Sequence, residues 1–137
     1  MNAGRTITIS MATFNPDPGL FRVQIDSIRS QDDSDWICVI SDDASDPEHF
    51  AAIEAELEGD DRFLLSRSER RLGFYRNFER ALEIVPAESG PVALSDQDDR
   101  WHPDKLSVLR RALGSAQLVY SDQRLVTAMH AVEIADR

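Results

Sequence analysis

Lysine is almost missing from this chain: fourteen of its fifteen basic residues are arginine, and Lys105 is the exception. Cysteine is equally scarce. Cys38 stands alone, so no disulfide can form within the chain, and a reducing compartment fits. No apolar run approaches the roughly 20 residues that span a bilayer. The N-terminus has no basic region followed by a long apolar stretch, so no signal peptide is expected. The phosphate-cradling patterns G-x-x-x-x-G-K-[ST] and G-x-G-x-x-G are absent, as are H-E-x-x-H and G-x-S-x-G. His49, His102 and His130 are too scattered for a metal cluster and read as surface or capping residues. Positive charge is short overall. A net charge of -10 argues against a general nucleic-acid or anionic-membrane binder. It leaves room for a phosphorylated ligand, because a bound cation inverts the local charge.

What is present suits one soluble globular domain: 137 residues, 42% hydrophobic and 29% charged. Residues 1–5 read as a disordered lead. Thr6 to Thr13 alternates β-branched and small residues and reads as a strand. Asp17 and Pro18 then offer an N-cap and a first helical residue for a helix to about Arg29, with Phe21, Ile25 and Ile28 on one face. Trp36 to Ile40 is a near-continuous apolar run, as in a strand covered on both faces. Asp46 and Pro47 start a second helix, striped by Phe50, Ile53 and Leu57 and closed by Gly59. Arg62 to Ser66 is a short third strand. A third helix runs from Phe74 to about Val85, with Phe74, Phe78, Ala81, Leu82 and Val85 expected inward. Val92-Ala93-Leu94 is the fourth strand. Pro103 opens a fourth helix with Leu106, Leu109 and Leu113 inward, ended by Gly114. Gln117 to Ser121 is expected as a fifth strand, and residues 123–137 as an extra strand or tail.

This alternation implies an α/β fold of three layers, α/β/α, with a mostly parallel sheet and right-handed crossovers. A positional regularity follows. Polar clusters fall where strands finish: Asn15, Asp42-Asp43, Asp96 with Asp98 and Asp99, and Asp122. In a parallel sheet these ends share one edge, where ligands bind. The densest cluster is Ser95-Asp96-Gln97-Asp98-Asp99-Arg100-Trp101. Carboxylates this close repel one another unless a cation or donors compensate, and oxygen-only ligands suit a hard divalent metal. A solvated acidic turn with capping duty is the plainer alternative.

Four separated stretches resemble one known family, the family 2 glycosyltransferases with the GT-A fold, and specifically their Rossmann-like, nucleotide-binding N-terminal half. Met11 to Pro16 resembles the first-strand motif, Trp36 to Ser45 the second-strand "DDGS" motif, Leu72 to Phe78 the glycine-to-asparagine helix start, and Ser95 to Trp101 the DxD segment. They cover about residues 6–122, the expected nucleotide-sugar-binding domain. The "SDQDD" form is similar to bacterial members that build surface polysaccharides, rhamnosyltransferases included. The resemblance implies that Thr13, Phe14 and Asn15 line the nucleoside pocket. It implies that one of Asp42 and Asp43 bonds the base or ribose while the other is structural. Arg76 and Asn77 would face the nucleotide, and Asp96 the ribose or a metal-bound water. Asp98 and Asp99 would hold Mg²⁺ or Mn²⁺ on the diphosphate. It also implies a nucleotide-diphosphate sugar as donor, a glycan or lipid-linked acceptor and inverting displacement, with a general base supplied beyond Arg137. A homo-oligomer and a cytoplasmic location, at most peripheral at the inner face of the membrane, complete the expectation. Trp101 is expected to pack beneath the acidic turn. Lys105 reads as a surface or capping residue, and Tyr75 as either core, surface or a stacking partner of the base.

Overall fold

The structure, a computed structural model, describes residues 5–125. Four strands form one sheet: β1 (Ile7–Thr13), β2 (Trp36–Asp42), β3 (Phe63–Arg67) and β4 (Val92–Ser95). The order is β3-β2-β1-β4 and every pairing is parallel. Between and after them run α1 (Pro18–Arg29), α2 (Pro47–Leu57), α3 (Phe74–Glu83) and α4 (Lys105–Leu113).

The helix starts follow their capping chemistry unevenly. Asp17 caps α1 as expected, its carboxylate accepting from Leu20 N at 3.0 Å, with Pro18 next. Asp46 precedes Pro47 in the same way, but its side chain makes no capping bond and turns to Asn15 instead.

Right-handed crossovers put α1 and α2 on one face and α3 on the other. The apolar core fills the first face. Ile7, Ile9 and Met11 of β1 alternate inward there, with Trp36, Cys38 and Ile40 of β2, against Phe21, Ile25 and Ile28 of α1 and Ile53 and Leu57 of α2. Burying each of these side chains contributes about 2 kcal/mol. Cys38 is wholly buried in this layer.

The opposite face is held differently, and here one expectation fails. Phe74 and Leu82 are exposed, and the buried residues of α3 are Asn77 and Ala81. The reason lies in the sheet: β1 and β2 present hydroxyls to this helix. Ser10 Oγ donates to Ala81 O at 2.6 Å, and Ser41 Oγ to Asn77 Oδ1 at 2.7 Å. Polar docking selects the Asn77–Ala81 side over the aromatic side.

The expected strand over 117–121 does not form. Leu118 and Tyr120 are 80% and 88% exposed, and β4 keeps an edge without a partner strand among the described residues. Alternation supplies a face, whereas a strand also needs a neighbouring ladder. Residues 123–125 carry no regular structure, and the rest of the expected tail lies outside the described residues, as do residues 1–4 of the expected lead.

The strand order has a functional consequence. From β1 the chain steps outward to β2 and β3, then returns past β1 to β4. The gap beyond the carboxyl ends of β1 and β4 is therefore the switch point where open α/β sheets bind ligands.

Candidate functional site

A cleft of about 280 Å³ opens at that switch point. Ala12, Thr13 and Phe14 leave β1 along its floor, and Asp43 follows β2. Arg71, Phe74, Asn77 and Phe78 close one side, and Asp96, Gln97 and Asp98 the other.

The two neighbouring aspartates after β2 divide their labour. Asp42 is wholly buried. It accepts from Thr13 Oγ1 at 2.7 Å, Ser45 N at 2.9 Å and Ser45 Oγ at 2.6 Å, so its oxygens are committed to the loop. Asp43 borders the cleft and ties in the segment before α3. It accepts from Leu72 N at 2.6 Å, Gly73 N at 3.0 Å and Arg71 Nε at 3.0 Å. Gly73 has φ of +94°, a conformation that glycine adopts without strain, and this aims its N–H at the carboxylate. Asp42 thus holds the shape of the loop and Asp43 borders the cleft.

Asn15 departs from its expected place. Its Oδ1 accepts from Asp46 N at 2.8 Å and its Nδ2 donates to Asp46 Oδ2 at 3.2 Å. It fastens the β1 loop to the start of α2 and does not line the cleft. Asn77 spends both amide atoms in the fold, donating to Thr13 O at 3.1 Å and accepting from Ser41, while one edge borders the cleft. Arg76 is a correction: it lies on the outer side of α3, sharing a separate groove with Glu79 and Glu83. The arginine at the cleft is Arg71, whose guanidinium sits 3.5 Å from the centre of the Phe14 ring. Tyr75 is exposed and does not line the cleft.

The acidic turn is gripped from below by α1 and the residue just past its C-terminal cap. Gln24 Nε2 donates to Ser95 Oγ at 2.6 Å and Asp96 O at 3.3 Å. Ser27 Oγ accepts from Trp101 N at 3.0 Å. Gln31 donates to His102 O at 2.7 Å and accepts from Leu106 N at 3.0 Å. All three are buried; Gln24 and Ser27 sit three residues apart on one face of α1, and Gln31 follows just beyond its C-terminal cap. From above, Gln97 Oε1 accepts from Phe14 N at 2.9 Å while its Nε2 donates to Phe14 O at 3.3 Å. Sequence reasoning missed all four. The signal was present for two, Gln24 and Ser27: polar residues at the spacing of buried helical positions.

None of the ion pairs among the described residues includes Asp96, Asp98 or Asp99. Burial and the Asp98 charge push the Asp96 carboxyl above the usual range. Burial, then Asp96 and Asp98, push Asp99 up as well, with Lys105 opposing. Lys105 Nζ sits 4.6 Å from the centre of the Trp101 ring, and Trp101 is buried in the core beneath the turn, as expected. Asp98 and Asp96 border the cleft; Asp99 does not. Such oxygen donors, crowded and without an ion pair among the described residues, fit a hard divalent cation. No group of three or more His, Cys, Asp or Glu among the described residues could hold a metal by itself, so oxygens of a bound ligand would have to complete the shell. Asp122 lies in the exposed segment after α4.

A family model described as glycosyl transferase family 2 matches residues 8–133. Among curated proteins the chain is similar to the uncharacterised protein y4gI of Sinorhizobium fredii. The two are 28% identical over 124 residues, which is 88% of this chain and 13% of that protein. The fold is similar to that of a mannosyltransferase, PcManGT from Pyrobaculum calidifontis, in complex with GDP-Man and Mn²⁺. That likeness has a TM-score of 0.64 and 24% identity, over 82% of this chain and 32% of the other. It is also similar to S. aureus TarS 1-349 in complex with UDP-GlcNAc, with a TM-score of 0.67 and 19% identity, over 80% of this chain and 31% of the other. The chain therefore spans about a third of the length of these solved structures and about an eighth of the curated relative. The sheet, its helices and the GT-A architecture agree with these neighbours.

Proposed function

The chain belongs to glycosyl transferase family 2, and on that premise we propose that it is the donor-binding half of a metal-dependent, inverting glycosyltransferase. The observation that carries this reading is the convergence of Thr13, Phe14, Asp43, Asp96 and Asp98 on one cleft at the switch point. The donor is a nucleotide-diphosphate sugar, the class of ligand named for two neighbours of like fold.

In this reading Thr13 and Phe14 form the nucleoside wall, with Asn77 behind them and Asp43 at the base or ribose. Asp96 faces the ribose. Asp98, with Asp99 beside it, holds Mg²⁺ or Mn²⁺. When bound, the cation supplies positive charge where the leaving diphosphate becomes more negative. The chain's own residues orient the donor: the loop after β1 fixes the nucleoside end, and the acidic turn fixes the diphosphate end. An acceptor hydroxyl, on a glycan or lipid-linked sugar, displaces the diphosphate at the anomeric carbon with inversion. The general base within hydrogen-bond reach of that hydroxyl belongs to an acceptor-binding half. The "SDQDD" form of the turn supports a role in surface polysaccharide synthesis, at the cytoplasmic side.

A second reading, a nucleotide-binding module that self-associates, draws on the open edge of β4 with Val92 and Leu94 exposed beside it. Gel filtration together with a donor-hydrolysis assay separates the two.

The deciding experiment is a thermal-shift panel of UDP-, GDP-, dTDP- and CDP-sugars, each with Mn²⁺ or with EDTA. A donor at a hundred times its Kd stabilises the folded chain by about 2.7 kcal/mol. That gain is expected only with Mn²⁺. Equal stabilisation in EDTA would remove the metal from the reading, and no stabilisation by any donor would remove the donor.

A further inference from the structure

The cleft has two ends that must act on one ligand, and a single side chain bridges them. Backbone pairing between β1 and β4 stops at Met11 and Ser95. Beyond it the strands diverge, one into Thr13-Phe14 and the other into the acidic turn. Gln97 spans the divergence. Its amide receives the Phe14 N–H and returns a donor to the Phe14 carbonyl, as a paired backbone residue would. Phe14 is also held from its ring side by Arg71, which is itself bonded to Asp43. The loops after β2, β1 and β4 are thereby joined in one belt around the cleft, and Gln97 is the link that includes the carboxylates.

We propose that Gln97 is a positioning residue that couples the metal-diphosphate end of the cleft to the nucleoside end. The inference rests on the donor-binding reading above. Gln97 itself carries no charge and need not touch the cation. Its two bonds set where Asp96 and Asp98 stand relative to the Phe14 wall. A ligand spanning both ends then gains from both at once only while the bridge is closed. Coupling of this kind is reciprocal: metal raises nucleotide affinity by the same factor as nucleotide raises metal affinity.

The test uses the nucleoside diphosphate, among UDP, GDP, dTDP and CDP, that binds the unaltered chain most tightly in Mn²⁺. Calorimetric titration in Mn²⁺ and in EDTA gives the factor by which metal raises its affinity. Gln97→Leu and Gln97→Met keep the size of the side chain and remove the bridge. Both are expected to lower that factor about tenfold, within the usual range of coupling between sites, with little change in melting temperature of the free chain. Affinity falling equally in Mn²⁺ and EDTA would make Gln97 merely structural and overturn the proposal. So would an unchanged factor. A second measurement needs no variant: exchange of the Phe14 amide hydrogen, bonded to Gln97, should slow about tenfold when Mn²⁺ joins the nucleotide-bound chain. Unaltered exchange overturns the coupling while leaving the donor reading intact. If none of the four diphosphates binds the unaltered chain in Mn²⁺, the donor reading itself fails, and the proposal with it.

Discussion

At the helix-to-strand edge of the sheet, Arg62 reaches Asp60 through Nε at 3.1 Å and Nη2 at 3.0 Å, and Arg110 Nε reaches Asp33 at 2.7 Å. At the strand-to-helix edge, Asp96, Asp98 and Asp99 stand together with no ion pair among the described residues. The carboxyls respond in opposite directions. The Arg62 hydrogen bond holds Asp60 down at about 2. For Asp33, burial pushes up, but the Arg110 hydrogen bond, the Asp35 backbone and the Arg110 charge together leave it below its usual value. Asp96 and Asp99 are pushed up, by burial first and by their neighbours second. Arginine reaches the strand-to-helix edge too, where Arg71 pairs with Asp43 at 3.0 Å, but among the described residues none pairs with the acidic turn. Acids that serve the fold are compensated within the chain. Carboxylates beside a cleft that are left without an ion pair are candidates for a ligand's cation.

The contrast can be broken first at its strongest point. Asp98→Ala with Asp99→Ala should weaken nucleoside diphosphate binding in Mn²⁺ about a hundredfold or more, beyond the cost of losing an outer-sphere partner. Since Asp98 borders the cleft and Asp99 does not, Asp98→Ala alone should account for most of the loss. Calorimetry that finds the two single variants equal would contradict this ranking.

The compensated edge predicts a stability effect instead. Asp60→Asn should cost about 1 kcal/mol at neutral pH, as for a partly buried ion pair, and leave nucleotide affinity unchanged. The sign of its pH dependence follows from a folded value below the unfolded one. The Asp60 contribution is complete above the unfolded value of 3.8 and is lost as pH falls through about 2. Denaturant titrations should therefore show the variant and the unaltered chain converging over that window. A constant gap down to the lowest pH would disprove the linkage.

The smallest effect sharpens the comparison most. Asp99→Asn, with no ligand present, should leave stability unchanged or raise it by up to about 0.5 kcal/mol, because it relieves both the partial desolvation of the carboxylate and its repulsion by Asp96 and Asp98. A substitution that weakens metal binding yet does not weaken the free fold is what a ligand-directed carboxylate predicts. A clear loss of stability would place Asp99 with Asp60.

The legible parts of this molecule were those written in local chemistry. β-branched and apolar runs placed β1 to β4, and the aspartate and proline pair placed α1. The alternation of elements implied the parallel sheet, and strand-end acids on one edge followed from it. What stayed hidden needs partners far apart in sequence. Arg71 meets Phe14 and Asp43 only because loops after three different elements converge, so the nearer-looking Arg76 was chosen in its place. Asn15 looked like a pocket residue because it follows a strand; its partner proved to be Asp46, thirty-one residues away. The aromatic stripe of α3 was read as a core face, and the hydroxyls that β1 and β2 offer that helix reversed the choice. Gln24 and Ser27 of α1, and Gln31 just past its cap, are buried polar residues whose partners lie some seventy residues away, so only the fold reveals those contacts.

Cys38 has a consequence beyond packing. It lies on an interior strand, in register with Ile9 on one side and Phe63 on the other, and burial pushes its thiol well above the ordinary range. Only the thiolate reacts quickly with alkylating reagents, so the native thiol is silent. With no second cysteine to confuse the signal, its labelling rate becomes a clock for separation of the central sheet. Ligands that bind the native cleft should slow that clock without ever approaching the sulfur.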